Sequence, residues 1–122
     1  MNAKRILLAD DNESVRKSVG FYLKAKNFEV EYARDGEEAL QRLDTFRPEI
    51  IILDIKMPKM NGIAFIKEIQ EREDMKDVPI IVITAVTNLN SDIEIGDKKI
   101  KVVQKPFSLD QLLKEVYYAA NC

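Results

Sequence analysis

Acidic and polar side chains follow several short apolar runs of the sequence, and they are the residues that could carry chemistry. These residues are Asp10, Asp11, Asp54, Thr84 and Lys105. Three carboxylates in one cleft would repel one another and raise their pKa values unless a cation compensates. Magnesium suits that task because it takes oxygen ligands, usually one or two carboxylates together with phosphate oxygens. With a lysine and a hydroxyl nearby, such a site could neutralise a phosphoryl group during its transfer to a carboxylate.

The elements that must position these residues are indicated by apolar runs that alternate with longer amphipathic segments. The runs are Ile6–Ala9, Phe28–Tyr32, Ile50–Leu53, Ile80–Ile83 and Ile100–Val103. Three of them are uninterrupted, as interior parallel strands are, whereas the second and fifth contain charged residues typical of edge strands. We therefore predict an α/β fold with a flavodoxin-like, doubly wound, five-stranded parallel sheet in the order 2-1-3-4-5 and helices on both faces.

The predicted topology brings the acidic residues together. In sheets of this kind the ligand lies beyond the carboxyl ends of the strands, where the winding reverses. That point is expected between the first and third strands, which Asp10 and Asp54 follow. The least regular interval is 88–95, because its Asn, Ser and Asp residues and the following Gly96 are poor helix formers. We predict only a short or irregular fourth helix there.

The composition of the chain excludes several classes of protein and of function. With 122 residues, the chain has the size of one domain, which we take to be residues 1–122. Its one cysteine, Cys122, excludes a disulfide scaffold and makes the reducing cytoplasm the expected compartment. The net charge of −2 argues against nucleic-acid binding through overall charge, and no apolar stretch approaches the length of a membrane span. The absence of histidine excludes hydrolysis by a histidine-based triad and histidine-based metalloprotease chemistry.

Taken together, the motifs resemble the receiver domain of bacterial two-component response regulators. The matching residues are Asp10-Asp11, the run Asp54-Ile55-Lys56-Met57-Pro58 with Gly62 beyond it, Thr84-Ala85, and Lys105-Pro106-Phe107. Each motif alone is weak, but their order and spacing at the predicted strand ends are specific. The resemblance covers essentially the whole chain.

The resemblance implies a role for each site residue. Asp54 would be the phospho-acceptor and one of the Mg²⁺ ligands. Asp11 would bind the ion directly, Asp10 mainly through metal-bound water, and Lys56 through its backbone carbonyl. Thr84 would hydrogen-bond the aspartyl phosphate, and Lys105 would pair with it. The Lys105–Pro106 peptide bond would be cis.

The resemblance also implies partners. The phosphoryl donor would be a phosphohistidine on a sensor histidine kinase or a histidine phosphotransferase. The surface of the fourth helix, fifth strand and fifth helix would contact a downstream effector or a second copy in a homodimer, with no direct contact to nucleic acid or membrane. The chain would not be an enzyme beyond its own phosphotransfer and slow autodephosphorylation. Whether it acts alone, as in chemotaxis or phosphorelays, or belongs to a longer regulator is left open.

Two departures from the family pattern concern signalling. Val102 stands where the family usually has a tyrosine or phenylalanine that changes rotamer on activation, and Gly96 lies further from Lys105 than usual. They favour one alternative, a receiver-like module that signals by docking without phosphorylation. A second alternative is a phosphatase or mutase with an aspartate nucleophile. Such enzymes generally carry a second carboxylate two residues later, where this chain has Lys56.

Overall fold

The computed structural model describes residues 4–85, 92–95 and 98–120. Its strands are β1 (Arg5–Ala9), β2 (Glu29–Ala33), β3 (Ile50–Leu53), β4 (Ile80–Thr84), β5 (Asp92–Ile95) and β6 (Lys98–Gln104). Its α-helices are α1 (Glu13–Ala25), α2 (Gly36–Arg42), α3 (Gly62–Gln70) and α4 (Leu109–Ala120), with a short 3₁₀ turn at Glu73–Met75. None of the helices in these ranges has the length and apolar character needed to cross a membrane.

The described strands form one sheet in the order β2-β1-β3-β4-β6-β5. The first five of these positions are parallel and correspond to the five predicted strands, with β6 as the predicted fifth. The flavodoxin-like order 2-1-3-4-5 is thereby confirmed. At the outer side of β6 the structure adds β5, which runs antiparallel.

The prediction of a helix over 88–95 is wrong for the part of that interval that the structure describes, since Asp92–Ile95 is strand β5. Residues 86–91 and 96–97 lie outside the described residues. The fifth predicted strand is consequently not an edge, because β5 pairs along it. A physical reason lies in the backbone, because an edge strand leaves a row of N–H and C=O groups unpaired and β5 pairs with those of β6, with Asp92 opposite Lys101 and Glu94 opposite Lys99 in the register.

Alternate residues of the central strands face opposite layers of helices. Leu7 and Leu53 belong to the cluster that includes Phe65 of α3. Leu8 and Ile52 belong to the cluster on the other face. Helices α2 and α3 therefore cover one face of the sheet, and α1 and α4 cover the other. With both faces covered, the carboxyl ends of β1 and β3 are held in fixed positions.

Candidate functional site

Strands β1 and β3 bring two of the predicted acidic residues side by side. The two strands pair with Ala9 next to Leu53, so Asp10 and Asp54 each come directly after a paired position. The Asp54 N–H donates to the Ala9 carbonyl at 3.0 Å. One carboxylate oxygen from each of Asp10, Asp11 and Asp54 lies within 4.8 Å of the other two. The predicted convergence of the carboxylates is therefore present.

Lys105 is the shared cationic partner of the two buried carboxylates and offsets one of their two negative charges. Its Nζ lies 2.9 Å from Asp10 Oδ2 and 2.8 Å from Asp54 Oδ2. Asp10 is completely buried and Asp54 is 6% exposed, whereas Asp11 is exposed. The Lys105 side chain is 19% exposed, so the ion pairs are shielded from solvent without being sealed. The site thus has a closed inner part and an open side at Asp11.

The remaining oxygens of the two buried carboxylates accept hydrogen bonds from the backbone. Asp10 Oδ1 accepts from the Asn12 N–H at 2.9 Å, and Asp54 Oδ1 accepts from the Lys56 N–H at 3.2 Å. Both carboxylates are therefore held at each oxygen. This arrangement fixes their orientation before any ligand arrives.

Two pKa values at the site are shifted in the same direction, for different reasons. Burial raises the pKa of Asp10 above its ordinary value, and the nearby Asp54 carboxylate adds to this, although the bonds from Asn12 and Lys105 act against it. Burial by itself would lower the pKa of Lys105. The hydrogen bonds to Asp54 and Asp10 outweigh burial, so the pKa of Lys105 is raised.

Thr84 ends β4 and lies next to Lys105, which follows β6 and contacts these carboxylates. Thr84 is completely buried, and its backbone carbonyl accepts from the Lys105 N–H at 2.7 Å. The Lys105–Pro106 peptide bond is cis, as the resemblance implied. The role of the Thr84 hydroxyl stays a prediction.

Close packing against the Asp54 segment explains why a glycine, Gly62, stands at the start of α3. A Cβ atom at this position would lie 2.4 Å from the Asp54 backbone oxygen and 2.9 Å from Ile55 Cα. Backbone atoms cannot move aside as a flexible side chain can. A glycine here lets α3 pack directly against the segment that carries Asp54.

The donor set fits a divalent cation such as Mg²⁺, because it consists of closely spaced carboxylate oxygens, which are hard ligands. The exposed carboxylate of Asp11 gives the cluster a solvent-facing ligand. The predicted contribution of the Lys56 carbonyl stays a prediction, since what the structure shows of this residue is its N–H bond to Asp54.

A groove of about 450 Å³ lies next to the site. It is lined mainly by apolar groups of α1 and of the segment that links β6 to α4, and it reaches Lys105 and Ala85. The residues that line it are Val15, Ser18, Val19, Ala85, Lys105, Pro106, Phe107 and Leu109. A group that approaches the Lys105 side of the site therefore has room beside it.

The sequence-based prediction did not include two residues that contact Asp10. They are Asn12, through its backbone N–H, and Arg16, whose Nη1 donates to the Asp10 carbonyl at 2.6 Å. Asn12 carried a usable signal, because an asparagine between a strand and an amphipathic run is a typical N-cap, and its side chain does cap α1. Arg16 has no such local signal.

Comparison with known proteins identifies the family. Residues 6–117 match the response regulator receiver domain family. A protein named response regulator MprA, from Mycolicibacterium vanbaalenii, is 34% identical over 110 residues, which are 89% of this chain and 47% of that protein. The chain thus spans about half the length of the relatives of this kind.

Solved structures agree with this assignment. The chemotaxis response regulator CheY4 of Vibrio cholerae is 29% identical with a TM-score of 0.83, and the alignment covers 97% of this chain and 99% of that one. The response regulator TrrA of Thermotoga maritima, solved in complex with Mg²⁺-BeF, is 33% identical with a TM-score of 0.82. That alignment covers 95% of this chain and 98% of TrrA.

Proposed function

The chain belongs to the response regulator receiver domain family, and from this premise and the site geometry we propose that Asp54 accepts a phosphoryl group in a magnesium-dependent reaction. The observation that carries the proposal is the pair of contacts from Lys105 to Asp54 and Asp10, beside the exposed Asp11. A carboxylate held this way is oriented as a nucleophile and has a cation within reach of the group that it would receive. We also propose that residues 1–122 form one receiver domain.

In the proposed reaction, one carboxylate oxygen of Asp54 forms a bond to phosphorus while the bond from phosphorus to the donor nitrogen breaks. The donor imidazole leaves with the electron pair of that bond. Charge neutralisation on the phosphoryl oxygens would come from Mg²⁺ held by Asp10, Asp11, Asp54 and the Lys56 carbonyl.

Lys105 and Thr84 would stabilise the product. A phosphoryl group brings up to about two negative charges and three acceptor oxygens. Lys105 Nζ, now 2.8 Å from Asp54 Oδ2, is placed to pair with a phosphoryl oxygen bound at Asp54. The Thr84 hydroxyl would supply a second donor from the end of β4. Slow hydrolysis of the acyl phosphate would reset the chain, which otherwise turns over no substrate.

The proposed donor is a phosphohistidine of a sensor histidine kinase or a histidine phosphotransferase, since this chain contains no histidine. The groove beside Lys105 would receive part of that partner. Output would pass to a downstream effector or a second copy through the side of the molecule formed by β5, β6 and α4, where β5 occupies the described part of the interval expected for the fourth helix. We further propose that these encounters take place in the cytoplasm, without direct contact to nucleic acid or membrane.

Phosphorylation by acetyl phosphate tests the proposal. Incubation with acetyl phosphate and Mg²⁺ should add the mass of one phosphoryl group to the wild-type chain, as measured by intact mass spectrometry. Asp54→Ala should gain no such mass, and EDTA should prevent labelling of the wild type. Asp44→Ala is the matched control, because Asp44 is an exposed aspartate outside the site. Labelling of Asp54→Ala at the wild-type level would contradict the proposal.

The phosphorylation-independent module stays as a second candidate because of the β5–β6 side of the molecule. Val102, in the position usual for the aromatic switch, is 8% exposed and packs in the core, and the described residues Asp92–Ile95 form strand β5 where a helix was expected. Partner binding that is unchanged by acetyl phosphate, by Mg²⁺ and by Asp54→Ala would decide for this candidate.

A further inference from the structure

Arg16 reaches back from the first turns of α1 to the loop that carries the acidic pair. Its backbone N–H donates to the Asn12 carbonyl at 3.1 Å, which anchors the residue in the helix. Its Nη1 donates to the Asp10 carbonyl at 2.6 Å, and the residue is half-buried. Side chains of a helix lean toward its N-terminus, so a position in the first turns of α1 is suited to this contact.

The contact completes the immobilisation of Asp10. The Asp10 N–H donates to the Ala33 carbonyl at 3.1 Å, and the two carboxylate oxygens bond the Asn12 N–H and Lys105 Nζ. Arg16 holds the backbone carbonyl, the remaining polar group of Asp10. Every hydrogen-bonding group of this residue thus has a partner.

Holding this carbonyl also orients Asp11. The Asp10 carbonyl and the Asp11 N–H share one planar peptide group, so the direction of the first sets the direction of the second. Asp11 is exposed and begins its side chain from this peptide. Rotation of the peptide would move the Asp11 carboxylate away from Asp10 and Asp54, whose oxygens now lie within 4.8 Å of it.

Arg16 and Lys105 bind different kinds of oxygen at the site. Lys105 occupies Oδ2 of both buried carboxylates, whereas Arg16 binds a backbone oxygen. A guanidinium carries a permanent positive charge. Arg16 therefore brings positive charge to the acidic loop without occupying a carboxylate oxygen that a cation would need.

We propose that Arg16 is a positioning residue that orients the Asp10–Asp11 pair for Mg²⁺. The inference rests on the proposed function, because it assumes that these aspartates bind the ion. Loss of a residue that orients metal ligands typically weakens metal binding by roughly 10–100-fold. We expect a loss of this order when Arg16 is replaced.

Magnesium affinity without a phosphoryl donor gives the direct test. Mg²⁺ is titrated into the unphosphorylated chain by isothermal titration calorimetry, with the wild type, Arg16→Gln and Arg16→Lys. Arg16→Gln should raise the Kd for Mg²⁺ about tenfold, and Arg16→Lys should recover part of the affinity because it retains a cationic donor. Arg42→Gln is the matched control, since Arg42 also donates to a backbone carbonyl, that of Tyr32, but outside the acidic cluster.

A kinetic measurement separates positioning from general damage. Labelling of Arg16→Gln by acetyl phosphate should be slow at low Mg²⁺ and should reach the wild-type rate at saturating Mg²⁺. A Kd equal to that of the wild type in both Arg16 variants, or a labelling rate that saturating Mg²⁺ does not restore, would overturn the inference. A wild-type chain that binds no Mg²⁺ would contradict the proposed function and with it this inference.

Discussion

Charges are arranged differently in the acidic site and in the paired strands β5 and β6. At the site, Lys105 and two buried aspartates form ion pairs of 2.8 and 2.9 Å with little solvent around them. In the antiparallel pair β5–β6, acidic positions of one strand lie opposite basic positions of the other in the register. Desolvation makes the charges of the first region costly unless they are paired, whereas cross-strand charges contribute little energy and mainly define register.

The largest expected effect comes from removing the cation of the site. Lys105→Met leaves Asp10 and Asp54 without their charge partner, and we expect about 2 kcal/mol less stability at pH 7, because an uncompensated buried charge is expensive. Chemical denaturation measures this loss. Lys17→Met is the matched control, since Lys17 pairs with Glu13 while both side chains are largely exposed, at 76% and 66%. We expect little change there, because exposed pairs contribute little.

The difference in unfolding free energy between the wild type and Lys105→Met should also depend on pH. The pKa of Lys105 is raised above 10.5, so its contribution is complete below that value and is lost as pH rises through the raised value. The two unfolding free energies should therefore converge in strongly alkaline buffer. A constant difference up to and beyond that range would show that lost packing, and not lost charge, causes the effect.

A smaller effect of opposite sign is expected from Asp10→Asn. The pKa of Asp10 is raised above 3.8, so the folded state holds the proton more tightly than the unfolded state. Stability therefore falls as pH rises from 3.8 through the raised value, and the ionised wild type carries this cost at pH 7. Asparagine removes it, so we expect about 1 kcal/mol more stability in EDTA at pH 7. The gain should disappear in acid below pH 3.8.

The same variant should bind Mg²⁺ more weakly, since it lacks one of the clustered carboxylates. Asp44→Asn, at an exposed position, is the control for both measurements. An Asp10→Asn chain that is less stable than the wild type at every pH would mean that Asp10 contributes more through its ion pair with Lys105 than its burial costs. The ion pairs of the site would then stabilise the fold in spite of their burial.

How far the sequence predicts this structure depends on the length of the pattern. The predicted bounds of the third strand, Ile50–Leu53, agree with the observed bounds, because a short unbroken apolar run between polar segments is typical of a buried strand. Topology predicts that Lys105 lies near the acidic residues, since the carboxyl ends of parallel strands meet at one edge of the sheet. The structure adds its contact with Asp10, 95 residues away in the sequence.

Short-range patterns were less informative. Charged and apolar residues alternate in Asp92–Ile95 over only four residues, which is too short a pattern to predict a strand. The segment is a strand because it pairs with Lys98–Lys101, and no local sequence pattern indicates that pairing. Arg16 was missed for a related reason. An arginine on a polar helix face has the same sequence pattern whether it extends into solvent or turns back to a loop carbonyl. Arg16 and strand β5 therefore depend on contacts that form only in three dimensions.

The smallest expected effect concerns the β5–β6 pair and tests whether the charges at its paired positions define the register. Glu94→Lys places a lysine opposite Lys99, and we expect a loss of about 0.5 kcal/mol, typical of a cross-strand charge pair. Lys99→Glu alone should cost a similar amount, because it sets two acidic residues opposite each other. The double exchange restores opposite charges and should recover most of the stability, so the double-mutant cycle isolates the pair from other effects of each substitution. Additive losses in the cycle would mean that the two positions do not interact, and the antiparallel pairing of β5 would then need another cause, such as the apolar pair at Ile93 and Ile100.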